Sequence, residues 1–389
     1  MLSKRIQTLS PSMTIAIAVL ALELKAQGKD ILSFSAGEPD FDTPEAIKDA
    51  AKAAMDNGKT KYTAIPGTPE VLAAVAGKLK RDNNLEYTAQ MIQTNNGAKH
   101  SLFNLFQALV DDGDEVIIPA PYWVTYPELV LYSGGTPVII ETDDESGFKI
   151  TPEQLKNAIT DKTKVLVLTS PSNPTGAVYS KAELEGLAEV LNGTKVVVIS
   201  DEIYEKLVYG DVEFTATASI NEDMFQRTIT VNGLSKSAAM TGWRFGYLAT
   251  PNTELVGVMN KLQSQSTSNI SSITQAAAIL GLDGTVDGVV EEMRQAFEAR
   301  RDEACDLINA IDGLSVVKPD GAFYLFINIK AVSNDSMAFS KGLLEKEGVA
   351  VVPGIGFGSE GYIRFSFATD IKTIREGIKR IERFVQSLK

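Results

Sequence analysis

The chain has 389 residues, 44% of them hydrophobic and 22% charged, which is the composition of a globular protein with a sizeable core. Its formal net charge of −13 would repel a polyanion, so nucleic acid is not expected as a partner. The single cysteine, Cys305, excludes an internal disulfide, and the single histidine, His100, leaves too few ligands for a structural zinc site, so no metal is expected.

The first predicted element is the apolar run from Ile15 to Leu24, which is short and is closed by the charged residues Glu23 and Lys25. A membrane span needs about 20 apolar residues, and a signal segment places its apolar run behind a charged region. The run therefore predicts a buried helix, and we expect a cytoplasmic protein that does not enter a membrane.

The middle of the chain alternates between strand-like and helix-like stretches. Seven short runs, rich in β-branched residues and almost continuously apolar, are typical of strands buried on both faces. They are Met91–Thr94, Glu115–Ile118, Thr136–Ile140, Lys164–Leu168, Lys195–Ser200, Thr228–Val231 and Gly246–Ala249. Amphipathic segments separate several of them, at Ser101–Leu109, Pro152–Ile159 and Lys181–Leu191. This alternation predicts an α/β fold with a mainly parallel, seven-stranded sheet covered by helices.

The end of the chain has a different pattern. A long amphipathic helix from Val286 to Ala310 precedes two strand-like runs, Phe323–Ile329 and Tyr362–Phe367, and a final helix covers Ile371 to Leu388. We interpret this part as a smaller α+β domain. The expected division is an N-terminal arm that packs on the small domain, a large ligand-binding domain and a C-terminal small domain: residues 1–40, 41–285 and 286–389.

Polar, glycine, proline or aromatic residues follow five successive predicted strands. The loops are Asn95–Lys99, Pro119–Trp123, Ser170–Gly176, Asp201–Tyr204 and Asn232–Lys236. In open α/β sheets, ligands bind beyond the carboxyl ends of the strands. Taken alone, Lys236 would be a surface lysine, Asp201 a helix cap and Trp123 a core residue. Five such loops in succession instead predict one shared rim.

The rim has the chemistry needed to hold a phosphorylated pyridine aldehyde. Lys236 can form a Schiff base with the aldehyde, and Asp201 can pair with the ring nitrogen. Gly97 would let backbone amides at a helix N-terminus approach the phosphate, and Arg244 would add a charge-assisted hydrogen bond. Tyr204 could bind the ring hydroxyl. Asn173, in the loop after the preceding strand, could bind the same oxygen, while Trp123 could stack on the ring.

Five segments of the chain form recognisable motifs. They are Ser235–Gly246, Ser170–Gly176, Ser200–Tyr204, Ala36–Phe41 and Lys61–Tyr62. The first resembles the lysine signature of the class I aminotransferases of fold type I, and the other four also match that family. In detail, the sequence resembles the bacterial-type aspartate aminotransferases of the Iβ subgroup. The resemblance covers nearly the whole chain.

This resemblance implies pyridoxal 5′-phosphate as cofactor and a homodimer with shared active sites. Lys236, Asp201 and Tyr204 would be the catalytic residues. The implied cofactor-binding set is Lys236, Asp201, Tyr204, Asn173, Arg244, Gly97, Ala98, Lys99, Trp123, Ser235 and, reaching the neighbouring subunit's cofactor, Tyr62. The implied substrate-binding set is Arg364, Gly37, Trp123, Asn173, Lys99, Ser12 and Thr14.

Within the substrate-binding set, Arg364 would bind the α-carboxylate, since its planar fork suits bidentate contact. Lys99, helped by Ser12 and Thr14, would bind the distal carboxylate. Alternatively, this lysine could simply lie at the end of a helix without binding a ligand. His100 stands beside Lys99 where many members of the family carry glutamine.

The implied reaction is ping-pong amino transfer from L-aspartate to 2-oxoglutarate, with Lys236 as general base and acid. Alternatives are an aspartate/glutamate–prephenate aminotransferase, an aromatic aminotransferase and a C–S lyase. A dinucleotide-binding protein is disfavoured, because the glycines of Gly354–Gly358 lack the required spacing.

Overall fold

The computed structural model describes residues 2–10 and 13–388. Its helices are α1 Met13–Ala26, α2 Glu45–Asp56, α3 Pro69–Asn83, α4 Ala98–Leu109, α5 Thr125–Tyr132, α6 Pro152–Ala158, α7 Lys181–Leu191, α8 Glu222–Arg227, α9 Thr253–Ser264, α10 Ser272–Leu282, α11 Asp287–Asn309, α12 Ser336–Glu347 and α13 Ile371–Gln386. Its strands are β1 Leu32–Ser33, β2 Ile92–Asn96, β3 Glu115–Ala120, β4 Thr136–Glu141, β5 Thr163–Thr169, β6 Val197–Asp201, β7 Thr228–Gly233, β8 Phe245–Ala249, β9 Ser315–Val316, β10 Tyr324–Asn328, β11 Val349–Ala350, β12 Val352–Pro353 and β13 Tyr362–Ser366.

The large sheet has seven strands in the order β2-β8-β7-β6-β5-β3-β4. Only β8 runs against the others, because it pairs antiparallel with both β2 and β7. The mainly parallel sheet predicted from the sequence is thus confirmed, and each of the seven predicted runs contributes one strand. Central strands such as β5 and β7 are almost entirely buried, which explains their continuously apolar sequences.

The carboxyl ends of the parallel strands meet at one edge of this sheet. Strand β6 lies between β5 and β7, and its last residue, Asp201, is in register with Thr169 on one side and Val231 on the other. The five loops singled out in the sequence leave the sheet at this edge. A functional rim at this position is therefore a direct consequence of the strand order.

A second sheet of four antiparallel strands, in the order β12-β13-β10-β9, is covered by α11 and α12, and α13 packs on these two helices. The predicted small α+β unit is confirmed by this sheet. The amino-terminal strand β1 pairs with β11 rather than with the large sheet. The Gly354–Phe357 segment forms a short 3₁₀ helix between the antiparallel strands β12 and β13. It is therefore not the turn between a parallel strand and a helix that a dinucleotide-binding unit has.

Helix α1 corrects one prediction. A helix does form over the apolar run, but Val19, Leu20 and Leu22 are 46%, 43% and 68% exposed. The physical reason is that the helix separates two cavities. Val19 and Leu22 face a cavity at the edge of the large sheet, and Leu20 and Leu24 face a groove beside α12. Over residues 2–10 and 13–388, the helices include none with the length and apolar character that crossing a membrane requires.

A buried ion pair fixes the loop that follows β6. The Lys78 ammonium, on α3, contacts the Glu205 carboxylate and donates a hydrogen bond of 2.7 Å to Asn83 Oδ1. Lys78 and Glu205 are only 4% and 9% exposed. The nearby Glu202 carboxyl is also buried, and burial raises its pKa to about 8. The pair thus anchors the segment that carries Asp201 and Tyr204 to a helix on the sheet.

We predict that Lys78→Met lowers the free energy of unfolding by about 3–5 kcal/mol, because the Glu205 carboxylate would remain buried without its cation. Urea unfolding followed by circular dichroism measures this change. The matched control is Lys80→Met on the same helix, whose ion pair with Glu86 is solvent-exposed and should shift the midpoint far less. Equal midpoints for the two variants would contradict the role assigned to Lys78.

Candidate active site

A cavity of about 520 Å³ opens at the carboxyl edge of the large sheet, facing the small sheet. Its walls combine strand-end loops of the large sheet with residues from β10 and β13. Most of the site residues predicted from the sequence line it: Gly37, Ala98, Lys99, Trp123, Asn173, Asp201, Tyr204, Ser235, Lys236, Arg244 and Arg364. The volume is within the range typical of small-molecule sites.

Lys236 extends into this cavity from the loop after β7. Its Nζ donates a hydrogen bond to the Gly37 carbonyl oxygen and lies 5.9 Å from the centroid of the Tyr204 ring. Burial lowers the pKa of the Lys236 amine to about 8, an effect that the Glu38 carboxylate partly opposes. Near neutral pH, a larger fraction of this amine is consequently neutral and nucleophilic than in an ordinary lysine.

Asp201 is fully enclosed at the end of β6. Its Oδ2 accepts a hydrogen bond of 2.8 Å from the Tyr126 hydroxyl, and its Oδ1 accepts one of 3.3 Å from the Ile203 amide. Burial raises the pKa of the Asp201 carboxyl to about 6, although the Tyr126 hydrogen bond opposes the shift. A cation placed beside this carboxyl would therefore be stabilised by it and would keep it ionised.

A candidate anion site adjoins the cavity where Ala98 and Arg244 line its wall. Gly97 has a φ of 80° and precedes the N-terminus of α4, so that amides of the first turn face outward. Arg244, with a φ of 57°, folds back over this turn and donates to the carbonyls of Thr241 and Asn96 at 2.8 and 3.3 Å. The positive φ of Gly97 favours glycine, and a Cβ at this position would also lie 2.5 Å from the Arg244 guanidinium and displace it.

Arg364 occupies the side of the cavity formed by β13. Its Nη1 donates to Asn173 Oδ1 at 2.9 Å and its Nη2 donates to the Ser35 carbonyl at 2.7 Å. The Nε atom is buried without a hydrogen-bond partner among the described residues. The side chain is 2% exposed. Because a buried, unpaired donor is costly, this guanidinium is suited to receive an anionic ligand.

Lys99 and Trp123 lie together at the mouth of the cavity. The Lys99 Nζ is 4.7 Å from the centroid of the Trp123 ring, a cation–π contact. Burial lowers the pKa of Lys99, and the Arg244 charge adds to this effect. Trp123 also packs edge-on against Tyr126, with ring centroids 5.5 Å apart.

Of the predicted site residues, Gly97 and Tyr62 are described by the structure and do not line this cavity. Tyr62 is 91% exposed on the surface of the single chain. Ser12 lies outside the described residues, and Thr14 belongs to the first turn of α1. Their assigned roles stay predictions.

The structure adds residues that the sequence reasoning missed. Tyr126 holds Asp201, Ser35 holds Arg364 through its carbonyl, and Tyr324 places its hydroxyl 2.8 Å from that of Tyr204. Tyr126 follows Trp123 by three residues, so that a helical spacing could have indicated it. Tyr324 sits inside an apolar strand, and only the pairing of β10 with β13 brings it to the site.

The family model described as aminotransferase class I and II matches residues 29–381. An aspartate aminotransferase of Bacillus sp. (strain YM-2) is 49% identical over 99% of both chains. An aspartate/prephenate aminotransferase of Cereibacter sphaeroides is 46% identical over 100% of this chain and 99% of its own length. Among solved structures, the aspartate aminotransferase of Rhizobium meliloti has a TM-score of 0.96 at 42% identity, and that of Thermus thermophilus with maleate has 0.95 at 44%, each over 99% of both chains.

The anion site at Gly97 and Arg244 leads to a prediction that is independent of any reaction. The protein free of small ligands should bind inorganic phosphate, and Arg244→Ala should weaken that binding about 10- to 100-fold, the range expected for a hydrogen bond to a charged group. Isothermal titration calorimetry measures the affinity. Arg375→Ala, which removes the same charge from an exposed ion pair with Glu303, is the control. Undiminished phosphate binding by Arg244→Ala would refute the assignment.

Proposed function

This chain belongs to the class I and II aminotransferases, and on that premise we propose that it is a pyridoxal-phosphate-dependent aspartate aminotransferase. It would transfer the amino group of L-aspartate to 2-oxoglutarate, giving oxaloacetate and L-glutamate. The observation that carries the proposal is the position of Lys236. Its amine lies in one cavity with the buried Asp201 carboxyl and the Arg244 anion site, and Arg364 lines the same cavity.

The residues of the cavity fit pyridoxal phosphate. The cradle formed by Gly97, the first turn of α4 and Arg244 suits a phosphate. The buried Asp201, whose pKa burial raises to about 6, suits a protonated pyridine nitrogen. When bound, this cofactor supplies an aldehyde that bonds covalently to an amine and a ring that withdraws electrons from the α-carbon of the amino acid.

Lys236 would hold the cofactor and then move a proton at the α-carbon of the substrate. With a pKa near 8, its amine can accept and return that proton near neutral pH. Asp201 would keep the ring nitrogen cationic, and Tyr126 would hold the Asp201 carboxylate in place. Tyr204, whose hydroxyl is buried within the cavity wall, would orient the ring oxygen together with Asn173.

The substrate carboxylates would be bound by two cations in different parts of the cavity wall. Arg364 would bind the α-carboxylate, since its side chain lines the cavity and its Nε has no hydrogen-bond partner among the described residues. Lys99 would bind the distal carboxylate at the mouth, where the Trp123 ring limits its movement. Relatives with 46–49% identity named as aspartate aminotransferases, or as aspartate/prephenate aminotransferases, support this choice of a dicarboxylic amino acid.

Prephenate is a second candidate acceptor. Several relatives are named for activity on both aspartate and prephenate. The apolar side chains of Val19 and Leu22 in the cavity wall would contact a larger ring-bearing substrate, and Lys99 would serve its second carboxylate.

We further propose a homodimer with shared active sites, in which Tyr62 reaches the phosphate bound by the neighbouring subunit. The 91% exposure of this tyrosine and the exposure of Leu2, Ile6 and Leu9 in the single chain support the assignment. Large apolar side chains on a surface are frequently covered by a partner.

Replacement of the proposed catalytic lysine tests the function directly. Lys236→Ala should lose the visible absorption band of the bound cofactor. Its transamination rate should fall by about 10²- to 10⁴-fold or more, since the general base and acid is removed. Absorption spectra and a coupled assay for oxaloacetate measure the two effects. Lys162→Ala, at an exposed position, should retain both. Substantial turnover by Lys236→Ala would exclude the proposed mechanism.

The substrate assignment is tested at Lys99. We expect Lys99→Ala to lower kcat/KM for aspartate about 10- to 100-fold, the equivalent of one hydrogen bond to a charged group, and to change that for alanine much less. The measurement is a panel of kcat/KM values that also includes glutamate, prephenate and tyrosine. Lys99→Arg keeps the charge and should recover part of the loss. Equal losses on aspartate and alanine would show that Lys99 does not bind the distal carboxylate.

A further inference from the structure

Tyr324, on β10, is the most completely enclosed polar side chain of the cavity wall for which the reaction outlined above has no role. It is 0% exposed and lines the cavity. Its hydroxyl is 2.8 Å from the hydroxyl of Tyr204. Burial raises the pKa of both phenols, that of Tyr204 well above its ordinary value, so both stay neutral through the working pH range.

The ring of Tyr324 also contacts the substrate side of the cavity. Strands β10 and β13 pair with Tyr324 opposite Ser366 and Phe326 opposite Arg364, which makes Tyr324 and Arg364 diagonal neighbours on one face. The Arg364 guanidinium carbon accordingly lies 4.4 Å from the centroid of the Tyr324 ring. One side chain therefore touches the tyrosine proposed for the cofactor ring and the arginine proposed for the substrate.

Counting protons gives the Tyr324 hydroxyl a definite task. Each neutral phenol has one proton to donate and can also accept. Among the described residues, the Tyr204 hydroxyl makes one hydrogen bond, which is with the Tyr324 hydroxyl. For Tyr204 to direct its proton into the cavity, it must accept the proton of Tyr324. The direction of this buried hydrogen bond therefore decides whether Tyr204 is a donor to a ligand.

We propose that Tyr324 is a positioning residue that makes Tyr204 a donor to the cofactor ring oxygen and holds the Arg364 guanidinium for the substrate carboxylate. The inference rests on the proposed function and extends it to a coupling between the two halves of the cavity. Its hydroxyl serves the cofactor and its ring serves the substrate, so the two roles separate by substitution.

Tyr324→Phe removes the hydroxyl and keeps the ring. The pH midpoint at which the visible band of the Lys236-bound cofactor changes should rise by about half a unit to one unit, the equivalent of one hydrogen bond. The rise is expected because the Tyr204 hydroxyl loses the partner that orients its proton toward the ring oxygen. A weaker donor to that oxygen makes protonation of the Lys236 nitrogen bonded to the cofactor more favourable. The KM for aspartate should stay near the wild-type value, since the contact with Arg364 remains.

Tyr324→Leu removes the ring as well and should raise the KM for aspartate about tenfold or more, the loss expected for a desolvated cation–π contact. A coupling test is independent of turnover. In the Tyr204→Phe background, adding Tyr324→Phe should give no further shift of the spectral midpoint, because Tyr324 acts through the Tyr204 hydroxyl, which that background lacks. Tyr209→Phe is the matched control, since it removes a buried hydroxyl that bonds the Ala322 carbonyl outside the cavity.

The outcomes are distinguishable. A wild-type protein that cannot be reconstituted with a visible band contradicts the proposed function itself. A wild-type protein with the band, together with a Tyr324→Phe variant whose midpoint is unchanged, overturns only the role of Tyr324. Additive shifts in the double variant, or an equal shift in Tyr209→Phe, would show that the hydroxyl acts through general packing and would also overturn it.

Discussion

The cost of removing charged side chains from water determines how this cavity is built. Asp201 and Arg364 are almost completely buried, and the Lys236 amine is held where burial lowers its pKa to about 8. Each group is stabilised by hydrogen bonds from another element: Tyr126 for Asp201, Asn173 and the Ser35 carbonyl for Arg364, and the Gly37 carbonyl for Lys236. These bonds leave each group short of a full counter-charge, and such a site favours a ligand that carries the missing charges.

Those supporting contacts join parts of the chain that are far apart in sequence. Arg364 belongs to the small sheet, Asn173 to a loop of the large sheet, and Ser35 to the segment that pairs with β11 through β1. The substrate side of the cavity therefore forms only when the two sheets are packed together. The division proposed at residues 40 and 285 stays a prediction.

The seven strands and the order of the loops could be predicted from the sequence, because strand-end loops must meet at one edge of a parallel sheet. Lys236 and Asp201, which two of those loops carry, line the cavity at that edge. Tyr126 and Tyr324 could not be predicted in the same way. Their positions depend on helix orientation and on strand register, which local patterns do not contain. The expected burial of α1 was wrong for a related reason: an apolar sequence shows a preference for contact, but it does not show whether a neighbour fills the space. The roles assigned to three further residues, Tyr62, Ser12 and Thr14, stay predictions.

The reversed direction of β8 has a consequence for how the site can vary. Because β8 runs against its neighbours, its amino end lies at the edge where β7 has its carboxyl end. Residues 234–244 consequently leave that edge and return to it, with Lys236 near one end and Arg244 at the other. Ala239 and Arg244 both adopt left-handed backbone conformations in this segment. The length of this segment therefore sets the distance between the Lys236 amine and the Arg244 guanidinium, which would bind two ends of one ligand. Insertions or deletions here would change that spacing, whereas side-chain changes at its outer positions would not, so this loop should tolerate substitution far better than a change of length.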